Sequence, residues 1–155
     1  MLPQADLVVV YGESGSGKSF AVLDVCMSVA RGLPWRGHRT KQGGVVYIAA
    51  EGGGGFRKRL AAYAQHHDID LGAVPFGVIH AAPNLLDKAD ALDVAKSILT
   101  WGRPAVVVVD TLAQSTPGAN ENAGEDMGKA LKHCNGIHRA TGAVVVLVHH
   151  SGKDK

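Results

Sequence analysis

At 155 residues and 46% hydrophobic content, the chain has the length and composition of one compact domain with a real core, and no second domain is expected. Sixteen basic residues against 14 acidic leave a net charge of +2, which excludes a global field of the kind that marks a nucleic-acid binder, so any such contact has to be local. Two distant cysteines, Cys26 and Cys134, with no secretory leader and no spanning segment, point to a reducing cytoplasm and no membrane partner.

Leu7 to Tyr11 is a continuous apolar run that suits a strand buried on both faces of a parallel sheet. Gly12 to Ser19, Gly-Glu-Ser-Gly-Ser-Gly-Lys-Ser, follows it and opens a helical pattern. The spacing G-x-x-x-x-G-K-[ST] is that of a phosphate-binding loop, in which the backbone curls around an anion with its N–H groups inward. In that reading Lys18 reaches the β- and γ-phosphates, Ser19 offers its hydroxyl to Mg²⁺, and the helix presents its positive end. The bland alternative is a glycine-serine turn that happens to hold a lysine; the strand before it and the helix after it argue against that.

The helix runs from Lys18 to about Arg31, with Phe20, Leu23, Met27 and Ala30 as its apolar stripe, and Gly32-Leu33-Pro34 stops it. Trp35 to Gly44 is a polar, basic connection into a second buried strand, Val45 to Ala50. That strand ends in Glu51 and four glycines, which sets a carboxylate where open α/β sheets hold ligands. Phe56 to His67 reads as a helix with Phe56, Leu60, Tyr63 and Ala64 on one side; Arg57, Lys58 and Arg59 lie largely on the other, as a solvated face.

Asp68 to Pro75 is loop-like, and Phe76 to His80 is a short third strand. Ala89 to Trp101 returns to helical spacing through Leu92, Ala95, Ile98 and Leu99. Gly102-Arg103-Pro104 then introduces Ala105 to Thr111, where Asp110 closes four valines. Ala113 to Gly124 reads as a long exposed loop, with Asn122 and Glu125 as a capping pair for a helix to about Ala140. Ala143 to Val148 is the fifth apolar run, ending in His149 and His150. Five strands alternating with helices predict an α/β fold: a mostly parallel five-stranded sheet with helices on both faces.

Glu51, Asp110 and the histidine pair therefore share one sheet edge with the loop. Asp110 suits a Mg²⁺ carboxylate, Glu51 a base or orienter of the attacking water, and His149 or His150 a hydrogen-bond partner of the γ-phosphate; each could instead be an ordinary strand-end residue. A zinc site at His133, Cys134 and His138 fails, because those positions on one helix do not converge. The two cysteines read as packing residues.

GESGSGKS, YIAAEGG, VVVVDT and LVHHSGKD, in that order, resemble the RecA-like P-loop ATPases, most closely the RepA-type helicase ATPases of plasmids and phages, over nearly the whole chain. The resemblance implies a three-layer RecA-like core that binds ATP with Mg²⁺ and hydrolyses it. Gly12, Glu13, Ser14, Gly15, Ser16, Gly17, Lys18, Ser19 and Phe20 would hold the nucleotide as Walker A, with Ser19 and Asp110, the Walker B residue, on the metal. Glu51, Lys18, His150 and His149 would be the catalytic set. It implies hexameric rings that move single-stranded DNA in replication, with a nucleotide-dependent switch or assembly module as the alternative. Relatives continue past the histidine strand to an arginine that reaches the neighbouring subunit, so residues 1–155 are expected to be a single core truncated at its C-terminal end. The stretch Glu121 to Met127 also resembles the family's run before the last helix.

Overall fold

The computed structural model describes residues 7–119 and 124–150. The β-branched runs form five strands, all parallel: β1 (Leu7–Gly12), β2 (Val45–Ala49), β3 (Phe76–Ile79), β4 (Val106–Asp110) and β5 (Val144–His150). Parallel neighbours need long crossovers, which are made through the helices α1 (Lys18–Arg31), α2 (Gly53–His67), α3 (Lys88–Trp101) and α4 (Gly124–Thr141). Side by side the strands run β1-β5-β4-β2-β3, so the strand carrying the glycine loop is separated from the strand carrying Asp110 by β5.

Strand alternation divides the core into two. Val45, Tyr47 and Ala49 of β2 pack with Leu23, Met27 and Phe56 of α1 and α2, while Val46 and Ile48 pack with Val94, Ile98, Cys134 and Ile137 of α3 and α4. The result is a three-layer α/β sandwich, as the alternating pattern predicts. Every residue of β2 and β4 is buried. Among the described residues, no helix is long and apolar enough to cross a membrane.

Four expectations are corrected. β1 is not buried on both faces: among the described residues it is an edge strand paired with β5 alone, and Val9 and Tyr11 are 50% and 66% exposed. The stripe of α1 runs through Val22, Leu23, Cys26, Met27 and Ala30, which turns Phe20 out to solvent. On α3 the buried set is Ala91, Val94, Ala95 and Ile98, so Leu92 and Leu99 flank the stripe instead of forming it. Residues 113–119 are not an exposed loop throughout. A 3-10 turn, Ala113–Ser115, buries Ser115 and Thr116, and the Ser115 carbonyl accepts from the Leu85 N–H at 2.7 Å.

Smaller differences lie at element ends. α2 starts three residues before Phe56 and takes in three of the four glycines, and a second 3-10 turn, Leu71–Ala73, sits in the connection to β3. Glu121 and Asn122, and with them the expected capping pair and part of the stretch to Met127, lie outside the described residues.

Candidate functional site

The strand register assembles the site. Gly12 lies opposite His150, Asp110 opposite Val148, and Ala49 opposite Asp110, so the C-terminal tips of β1, β5, β4 and β2 form one edge. The loop after β1 turns through left-handed backbone at Gly15 (φ 79°) and Gly17 (φ 83°). Each has open space where a Cβ would sit, so a side chain there would be resisted by backbone conformation, not by a clash. Gly17 caps α1 without a side-chain hydrogen bond, and the first turn of α1 carries no acid. Its leading N–H groups and positive end are left for an anion.

Lys18 is 8% exposed. Its ammonium donates to the carbonyls of Gly12 (2.7 Å) and Glu13 (2.6 Å) and approaches Ser16 Oγ at 3.4 Å, so these loop residues hold the cation from behind. In front of it lies a cavity of about 160 Å³, lined by Ser14, Gly15, Gly17, Lys18, Ser19 and Phe20 of the loop together with Glu51, Arg59 and His150. Two larger cavities, one between α3 and α4 and one beside α1, are mostly apolar and contain none of these groups. The polar convergence at the strand ends marks the small one as the candidate site.

One half of the site is buried. Ser19 Oγ donates to Asp110 Oδ1 at 3.1 Å, and the Tyr47 hydroxyl donates to Asp110 Oδ2 at 2.5 Å. Asp110 is 3% exposed and Tyr47 fully buried. Burial, and then the negative charge of Asp110, pushes the Tyr47 hydroxyl well above the ordinary tyrosine range, so it remains a donor. Ser19 and Asp110 offer a divalent ion one hydroxyl and one carboxylate. With phosphate and water oxygens that set fits Mg²⁺, a hard cation that keeps several waters. No cluster of three or more His, Cys, Asp or Glu side chains able to hold a metal occurs among the described residues.

The other half is open. Glu51 and His150 meet with Oε1 and Nε2 3.1 Å apart, at side-chain exposures of 39% and 27%. An ionised carboxylate only accepts, so the contact is a hydrogen bond when His150 Nε2 carries the ring proton. His149, which alternation sends to the other face of β5, is not at the cavity; its ring lies 5.7 Å from that of Tyr11. Both histidines are half-buried.

Two residues of the site carry no motif that marks them in the sequence. Arg59, expected on a solvated basic face, lines the cavity with its guanidinium 5.7 Å from the Phe20 ring and 5.9 Å from that of Phe56, and its Nε is buried without a partner. Its position three residues after Phe56 puts it next to that buried ring, which is a usable signal. Tyr47 has the pattern of a strand residue and nothing more. A hydroxyl in an otherwise aliphatic buried strand has to find a partner, and the nearest strand-end acid is the candidate. His133, Cys134 and His138 have separate surroundings: His133 Nδ1 meets the Leu85 carbonyl, His138 Nδ1 meets the Ala143 carbonyl, and Cys134 is buried in the core. Burial pushes the thiols of Cys26 and Cys134 up to about 12, as suits packing residues.

A parallel three-layer sheet with a glycine loop opening a helix beside a strand-end carboxylate defines a P-loop nucleotide-binding domain of the ATPase type. More narrowly, the family model described as AAA domain matches residues 1–155, and the chain belongs to that family. A comparison with curated proteins returns no match.

Proposed function

We propose that the chain binds ATP with Mg²⁺ in the cavity before Lys18 and hydrolyses it to ADP and phosphate. The observation that carries this reading is that Asp110, Glu51 and His150, from three separate segments, converge on the loop that holds Lys18 and Ser19. Gly12 to Phe20 cradle the phosphates, with Lys18 as the cation and the α1 N-terminus as the dipole. Ser19 and Asp110 would hold the metal, which would supply positive charge to offset that of the phosphates. Glu51 orients and deprotonates the attacking water, and His150 donates to the terminal phosphate. Arg59 adds a second cation to the cavity lining.

The motif order supports a narrower assignment, to the core of a hexameric single-stranded-DNA helicase or a related plasmid or phage replication ATPase. The Glu51–His150 contact favours a second reading, a nucleotide-dependent switch, because a terminal phosphate that took His150 would release Glu51 and shift the end of β5. Phosphate release from ATP with Mg²⁺, measured with and without single-stranded DNA, tests both. Turnover that rises with DNA supports the motor, turnover indifferent to DNA supports the switch, and no nucleotide binding contradicts the whole assignment.

A further inference from the structure

We infer that Tyr47 is a positioning residue for the metal: its buried hydroxyl fixes the Asp110 carboxylate so that the other oxygen faces Ser19 and the cation. This rests on the nucleotide reading above. Asp110 has two oxygens with distinct partners, Oδ2 bound to Tyr47 at 2.5 Å and Oδ1 bound to Ser19 at 3.1 Å. A carboxylate held at one oxygen cannot rotate about its Cβ–Cγ bond without breaking that bond, so Oδ1 stays beside the hydroxyl that shares its task. A hydrogen bond to a charged group in a buried setting is among the stronger ones available.

Tyr47 is itself held. It occupies the centre of β2, its ring stacks on Phe56 at 4.4 Å between centroids, and Phe76 lies at 6.1 Å on the same core. Phe56 belongs to α2, whose Arg59 lines the cavity. The metal carboxylate is thus braced from β2 and α2 together, not from β4 alone. The competing explanation is that Asp110 merely satisfies a buried tyrosine. It predicts a loss of stability when the hydroxyl goes, with no particular effect on metal dependence.

The readout is the ratio of the dissociation constants of a fluorescent ATP analogue measured without and with Mg²⁺. Tyr47→Phe should shrink that ratio about five- to tenfold, less than the about ten- to hundredfold of a hydrogen bond lost directly to a charged partner, because the tyrosine acts through Asp110. Ile137→Val, which loosens the core on the other face of the sheet from Tyr47, should keep the parental ratio. In an Asp110→Ala background Tyr47→Phe should change nothing further, because its effect runs through that carboxylate. If Tyr47→Phe does not fold, Phe56→Leu replaces it: the hydroxyl stays but loses the stacked ring that steadies it, and the ratio should fall about two- to threefold. A parental ratio in Tyr47→Phe, or in Phe56→Leu where that variant is used, overturns the inference, as does an equal drop in Ile137→Val. A parental chain that binds no nucleotide contradicts the functional assignment instead, so the two failures are distinguishable.

Discussion

The two carboxylates of the site are held in opposite ways. Asp110 ends a strand buried along its whole length and has both oxygens bonded, whereas Glu51 stands on a glycine-rich turn beyond β2, with one contact to His150 and more than a third of its side chain exposed. Rigidity at Asp110 suits the metal-binding role proposed for it, since a ligand placed in advance loses little freedom when an ion arrives. Looseness at Glu51 suits a group that acts on water and has to let product go. On the proposed assignment, one sheet edge separates holding from turnover by depth of burial.

If that division is right, variants on the two sides must fail differently. The largest effect belongs to Glu51→Gln, which keeps the shape and removes the base: turnover in a phosphate-release assay should fall about 10² to 10⁴-fold. Turnover at the parental rate would break the comparison on its open side. Lys18→Ala comes next. It removes the cation that the loop carbonyls hold at the cavity, and ATP affinity by fluorescence titration should drop about ten- to a hundredfold, as for lost hydrogen bonds to a charged group. Asp110→Ala should act more narrowly, flattening the Mg²⁺ dependence of binding while metal-free affinity changes by less than about threefold.

Arg59→Gln should give the smallest effect of this series, a rise of about two- to fivefold in the KM for ATP, because the cavity is open to solvent and the charge is screened. A larger change there would mean that α2 belongs with the binding half. It would also extend the bracing of Asp110 through Tyr47 and Phe56 to the phosphates themselves.

Much of this site is legible in the amino-acid sequence because its parts are local. A glycine loop between an apolar run and a helix, and acids or histidines that close apolar runs, announce themselves within about ten residues, and parallel topology then brings strand ends to one edge. Strand order is not local. Leu7–Val10 and Val106–Val109 look alike in sequence, yet β1 lies at the edge and β4 in the interior, because pairing is decided by crossovers tens of residues long. The same limit hides Arg59 and Tyr47, whose importance comes from partners across the fold. The α3 stripe is displaced for a different reason. Leu92 and Leu99 are more hydrophobic than Ala91 and Ala95, but they lie off the helix face that carries Val94 and Ile98, and that face is the one packed into the core.

The most direct test of the division is a titration of ATP with Mg²⁺ present, run side by side on Lys18→Ala and Glu51→Gln. The account predicts that Lys18→Ala loses affinity by at least about tenfold while Glu51→Gln binds within about twofold of the parental chain, since a group that acts on water contributes in the transition state and little in the ground state. Equal affinity in both variants, or loss in Glu51→Gln with retention in Lys18→Ala, would contradict it.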